Sequence, residues 1–175
     1  MSVSDQPLAP GEVARLLPVT VAVLRTELTA LPDRLLAWHP AASEWCVKEV
    51  LGHLIEADRR GFSGRIRVIL GADTPTLDRW EPTDVARARG DCAKSAAALL
   101  DELGAMRQDS AALVHDLSER DLERAGRHPT VGALRVRDLL QEWIHHDRNH
   151  LRQILANVQA YVWPAMGNAQ KFSGA

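Results

Sequence analysis

With 175 residues, 46% of them hydrophobic and 25% charged, the chain has the make-up of one globular domain, and residues 1–175 are read as a single domain. Lys and Arg number 21 against 23 Asp and Glu, and a net charge of −2 excludes the basic excess on which sequence-independent nucleic-acid binding depends. No run approaches the roughly 20 apolar residues of a membrane span, and Met1-Ser2-Val3-Ser4-Asp5 lacks the basic-then-apolar order of a secretion signal, so a cytoplasmic location is expected.

Apolar residues recur at intervals of three and four along most of the chain, with no convincing strand alternation, which predicts an all-α domain. Leu17, Val21, Leu24, Leu28 and Leu31 mark a first helix, with Pro18 placed in its first turn and Pro32 closing it. Cys46 starts a second that runs to about Leu70 and carries Val47, Val50, Leu51, Leu54, Ile55 and Phe62 on one side. After a loop with Pro75, Trp80 and Pro82, a third helix spans Ala96 to Leu117. The last covers about Arg135 to Ala160, with Val136, Leu139, Leu140, Trp143, Ile144, Leu151, Ile154 and Val158 as its stripe. Long helices with one apolar face each bury those faces against one another, which predicts a four-helix bundle. The loops are long enough for short extra helices, notably at Glu119 to Glu123. Cys46 and Cys92 are too few for a disulfide framework and lie in no C-x-x-C spacing.

Seven histidines are conspicuous in so short a chain. At about 100° per residue, His145 falls opposite the apolar stripe of the last helix, while His146 and His150 stack one turn apart on its shoulder. His53 takes a similar shoulder on the second helix. Imidazoles four residues apart on a helix can share a zinc, nickel, copper or iron ion. The H-x-x-x-H pair alone also fits two boundary histidines. His146-Asp147-Arg148-Asn149-His150 has Asp where zinc proteases of the H-E-x-x-H type need Glu, and no His, Cys, Asp or Glu follows His150, so a completing ligand must lie upstream. His39 and His128 sit beside prolines in loops and His115 lies off its stripe, leaving His53 as the best-placed third nitrogen. Asp58 and Asp147 project toward the stripe centres and need partners; pairing with Arg65 or with backbone and side-chain donors in the core is preferred over a role in orienting a ligand imidazole or taking a proton from metal-bound water. Glu49, Glu56 and Glu142 are lesser candidates around the site.

The segment from Glu44-Trp45-Cys46 through Gly52-His53-Leu54 to Asp58, together with His146-x-x-x-His150-Leu151-x-Gln153-Ile154, resembles the DinB-like (DinB/YfiT) superfamily. The two motifs cover about a fifth of the chain. The resemblance implies a four-helix bundle of DinB/YfiT type with one divalent metal ion on His53, His146 and His150, zinc or nickel ahead of iron or manganese. Where relatives carry Ser or Thr at the start of the second helix this chain has Cys46, a poor N-cap read here as a packing residue.

A three-histidine ion leaves coordination positions for water and substrate. The family implies a metal-dependent hydrolase or a bacillithiol- or mycothiol-dependent S-transferase acting on a small molecule, with its catalytic residues unassigned. Substrate-binding residues are expected in loops such as Gly71 to Thr83. The other class of reading is a non-catalytic, metal-binding stress-response protein, assembling as a homodimer through Trp80 and Trp163.

Overall fold

The computed structural model describes residues 6–173. Helix α1 runs from Pro10 to Leu28. Pro10 occupies the first turn, where its missing N–H costs nothing, and Glu12 Oε2 accepts the Ala9 N–H at 2.8 Å. These signals start the helix well before Leu17, so Pro18 lies inside it and not in its first turn. The short α2 (Asp33–Leu36) follows, with Pro32 at its N-cap.

The predicted second helix is not continuous. It consists of α3 (Val47–Glu56), one wide π turn (Ala57–Gly61) and α4 (Ser63–Gly71). Phe62 N–H reaches back five residues to the Ala57 carbonyl at 2.9 Å, and the Ser63 hydroxyl donates to the Asp58 carbonyl at 3.0 Å. A side chain at Gly64 would start 2.1 Å from the Arg59 carbonyl oxygen, so the fold over this turn needs a glycine there.

Helix α5 (Pro82–Arg89) ends at Gly90 in the left-handed conformation, and a 3-10 turn (Asp91–Ala93) leads to α6 (Ala96–His115), which Ser95 caps by accepting the Ala98 N–H. Ser118 and Asp121 cap the short α7 (Glu119–Glu123) reciprocally, at the place predicted for an extra helix. The long α8 (Val136–Val162) is followed by a 3-10 segment (Trp163–Ala169) and α9 (Gln170–Ser173). The all-α expectation misses one small sheet, β1 (Ala125–His128) paired antiparallel with β2 (Gly132–Arg135). Strands of four residues containing Gly, Arg and His carry too little alternation to signal themselves.

Helix α1 packs on α6 and α8, and α3 packs on the same two, so the first two long helices of the chain sit across the bundle from one another. The core comes in two apolar clusters. Val13, Leu17, Phe62, Ile66, Val114, Leu139 and Trp143 belong to one; Leu24, Leu28, Leu51, Leu54, Ile55, Leu100, Leu103 and Ile154 belong to the other. Between them each long helical segment contributes polar residues: Thr20 from α1, Asp58 from the π turn, Arg107 and Ser110 from α6, and Asp147 from α8, all essentially without solvent exposure.

This layer is internally matched. Arg107 grips Asp147 with two parallel bonds of 2.8 Å, and its Nε lies 3.2 Å from Asp58 Oδ2, close enough for attraction though not aligned as a hydrogen bond. Asp58 also accepts from the Ser63 and Ser110 hydroxyls at 2.8 Å, Asp147 accepts from Thr20 at 2.9 Å, and the Trp143 ring lies 5.2 Å from the Arg107 guanidinium carbon. Burial nevertheless holds the Asp58 carboxyl above the usual aspartate range. Arg65 is not the partner of either acid: the wide turn rotates it off the face that carries Asp58, and it donates to the Asp78 carbonyl.

Cys46 and Cys92 form a disulfide, so Cys46 is neither a free packing thiol nor a free nucleophile. The pairing spans 46 residues and joins the start of α3 to the turn after α5, a contact that local periodicity does not report.

Candidate metal centre

Helix α3 brings His53 and helix α8 brings His146 and His150 to one place on the flank of the polar layer. One nitrogen from each ring lies within 4.8 Å of the others, and His53 Nε2 is 3.0 Å from His146 Nε2. Ring centroids are 4.4 Å apart for His146 and His150, and 4.5 Å for His53 and His150. Two metal-imidazole bonds of about 2.0–2.1 Å place their nitrogens roughly 3–3.5 Å apart, the spacing seen between His53 and His146.

The surroundings hold the rings neutral. Burial, with the nearby His150, lowers the His53 pKa to about 3, and burial with His150, His53 and Arg107 lowers that of His146 to about 2. His150 is lowered by burial too, partly offset by Gln153. Gln153 Oε1 is 2.8 Å from His150 Nδ1, so that nitrogen carries the proton and Nε2 keeps its lone pair. His53 Nδ1 and His146 Nδ1 are buried and have no hydrogen-bond partner among the described residues. Three neutral imidazoles meeting at one point, the His150 ring oriented through its far nitrogen, fit a borderline divalent cation.

Two indoles and a phenyl ring wall the site. Trp45 lies 4.8 Å from the His53 ring and Trp80 stacks on it at 5.9 Å, while Phe62 meets the His146 ring edge at 5.1 Å. The Trp45 carbonyl is pinned by Asn157 of α8 at 2.8 Å. The chain leading to Trp80 is held by the small sheet: Leu77 N–H donates to the Arg127 carbonyl at 2.8 Å, and Arg127 N–H to that of Pro75 at 2.7 Å. Trp80 is thus half-buried over His53, whereas Trp163 is 42% exposed.

The other histidines stand apart. His115 and His145 are exposed, His128 ends β1 and accepts from Thr130 N–H, and His39 lies in the loop after α2. The acids are committed elsewhere. Glu56 is held by Arg59, Arg60 and Arg89, Glu49 accepts the Cys46 N–H at 2.9 Å, Glu142 is exposed, and Asp58 and Asp147 belong to Arg107. Sequence reasoning missed Arg107 and the role of Gln153; Arg107, four residues after Leu103 and three before Ser110, shares the buried stripe of α6 but belongs to a residue type that is mostly exposed, and the glutamine three residues after His150 was visible as a same-face neighbour.

In metal-free protein these shifts make acid destabilising. Unfolded imidazoles take up protons near pH 6.5 and the folded ones do not, so stability is complete above that pH and is lost as pH falls toward the folded values. Between pH 6.5 and 5, above the ordinary carboxylate range, urea unfolding should show a slope approaching about two protons per chain, reduced by about one in His146→Gln. A flat profile there would mean that the rings are not kept neutral.

The chain matches the DinB superfamily over residues 19–154. It is 31% identical over 144 residues to the uncharacterized protein YuaE of Bacillus subtilis (strain 168), an alignment covering 73% of this chain and 86% of YuaE. Its fold is similar to that of YfiT from Bacillus subtilis, described as a probable metal-dependent hydrolase with an unusual four-helix bundle topology, with a TM-score of 0.81 and 17% identity over 93% of this chain and 94% of YfiT. The placement of α1 across the bundle from α3, the two motifs and the extent of these matches agree: the chain belongs to the DinB superfamily.

Proposed function

We propose that residues 1–175 act as a single domain that holds one divalent ion, zinc or nickel, on His53, His146 and His150 and hydrolyses a small-molecule substrate. The observation that carries this reading is the convergence of three imidazoles held neutral by burial, with no carboxylate joining the group among the described residues. The fold shared with YfiT supports it. When bound, such an ion supplies Lewis acidity, lowering the pKa of a water or thiol nucleophile toward neutrality.

The remaining work falls to the chain itself. Gln153 fixes the His150 tautomer, and Trp45, Trp80 and Phe62 exclude bulk water from the three rings. Beside Trp80 opens a cleft of about 410 Å³ lined by Arg59, Arg60, Arg65 and Arg79 among others. Most of these guanidinium groups already have acidic partners, whereas Arg65, among the described residues, donates only to a carbonyl and keeps charge for an anionic group of the substrate.

Protein prepared without a histidine tag should contain, or take up, one divalent ion per chain. It should then cleave carboxylate-bearing esters or amides, with KM rising more than kcat falls in Arg65→Ala. Turnover only when bacillithiol or mycothiol is supplied would assign the thiol-transferase reading instead. Metal without either reaction would assign a binding role, and failure to bind metal would remove the proposal.

A further inference from the structure

Away from the three histidines, His39, Cys46, Glu49 and Cys92 bring one donor atom each within 4.8 Å of one another. They converge from three segments: the loop after α2, the first turn of α3, and the 3-10 turn after α5. His39 is oriented as a ligand would be. Its Nδ1 lies 2.8 Å from the Glu44 carbonyl oxygen, which only an N–H can face, so the proton sits there and Nε2 presents its lone pair 3.4 Å from Cys92 Sγ. A carbonyl on the far nitrogen is the usual orienting partner of a metal-bound imidazole.

The frame around the two sulfurs is rigid independently of the bond between them. Asp91, fully buried, is held by Arg89 at 2.6 Å and Lys94 at 2.7 Å. It lies so close to α3 that a Cβ at Gly52 would start 1.7 Å from its carboxylate. The buried ammonium of Lys48 lies 2.6 Å from Asp33 and 3.4 Å from the Cys92 carbonyl, bringing positive charge beside the sulfurs. The Cα atoms of Cys46 and Cys92 are 6.8 Å apart, the wide end of the range for bonded cysteines, so the sulfurs can part by side-chain rotation.

We propose that this cluster is a second metal site, opened by reduction: once the disulfide is cleaved, Cys46 Sγ, Cys92 Sγ and His39 Nε2 bind one zinc-class ion. Water completes the tetrahedron. Glu49 keeps its bond to the Cys46 N–H and, 3.5 Å from His39 Nδ1, adds negative charge beside the ion. Two sulfurs and one nitrogen form a softer donor set than the three imidazoles and select zinc over hard ions. The chemistry balances with a low-molecular-weight thiol as reductant. One thiolate attacks the disulfide and expels one cysteine as its thiolate, and a second attacks the reductant sulfur of the mixed disulfide so formed and expels the other. The two reductant molecules leave joined by a sulfur-sulfur bond, and Cys46 and Cys92 gain two electrons and two protons. Ion binding then releases those two protons to solvent. This site is independent of the three-histidine reading.

The test uses the full chain, stripped of metal, reduced with a phosphine that ends as its oxide with oxygen from water, freed of reductant, and titrated anaerobically with cobalt(II). Reduced protein should develop thiolate-to-cobalt charge-transfer absorption whose final amplitude corresponds to one thiolate-bound ion per chain, counted apart from any ion on the three imidazoles, which cannot give that signal. The band should persist in His146→Ala, be absent from the oxidised protein and from Cys92→Ser, and need at least tenfold more cobalt in His39→Ala. A reduced, folded protein without the band overturns the proposal, as does a band that His39→Ala leaves unchanged. Loss of helical circular dichroism on reduction also overturns it, because the dithiol form must keep the fold.

Discussion

Arg107→Met is expected to cost about 3–5 kcal/mol of folding stability, because it leaves two buried carboxylates facing each other without their shared cation. Asp58, already pushed above the usual aspartate range by burial, should rise further and take up a proton. The loss should therefore soften at low pH, where a protonated Asp58 can donate to Asp147. Arg107→Lys should recover little, since a single ammonium cannot reproduce the two-pronged contact with Asp147 while lying beside Asp58. Urea unfolding measures both. A cost below about 1 kcal/mol would mean that water enters the layer and solvates the acids, contrary to its burial.

His146→Ala should abolish metal binding. His146 is the ring closest to a partner nitrogen and is wedged between His53 and Phe62, so no neighbour can take its place. Gln153→Leu leaves all three nitrogens but frees the His150 ring, and about a 10- to 100-fold loss of affinity is expected. His145→Ala, one residue away but exposed, should change nothing. With metal at about 100 times its Kd, unfolding of the wild-type protein should cost about 2.7 kcal/mol more than without it, and His146→Ala should show no such increment. Equal stabilisation of the two proteins would place the ion somewhere other than these three rings.

The bundle and the histidine cluster were legible because both are written in helical periodicity. His146 and His150 share a face at four-residue spacing, and their position beside the stripe placed them at a helix boundary together with His53. The requirement of Asp58 and Asp147 for a partner was legible as well, but its identity was not. Arg107 comes from a helix whose order in the bundle cannot be read from its own period, and Arg65, nearer in sequence, was the natural choice. The π turn escaped because one wide turn shifts the apolar phase without interrupting it: Phe62 and Ile66 remain in the core on the far side. The Cys46–Cys92 bond and the pairing of Leu77 with Arg127 are contacts between loops, where periodicity has nothing to say.

The belt of charge and hydroxyl groups between the two apolar clusters has a consequence for how the helices align. A helix sliding along its neighbours by one turn travels about 5.4 Å and exchanges one apolar side chain for another at modest cost. Here the same slip in α8 would drive Asp147 into leucine and isoleucine and strip Arg107 of its partner. The layer thus works as a detent on the vertical position of every long helix. Because His146 precedes Asp147 directly and His53 lies five residues before Asp58, the height at which the imidazoles meet is set by ions that never touch them.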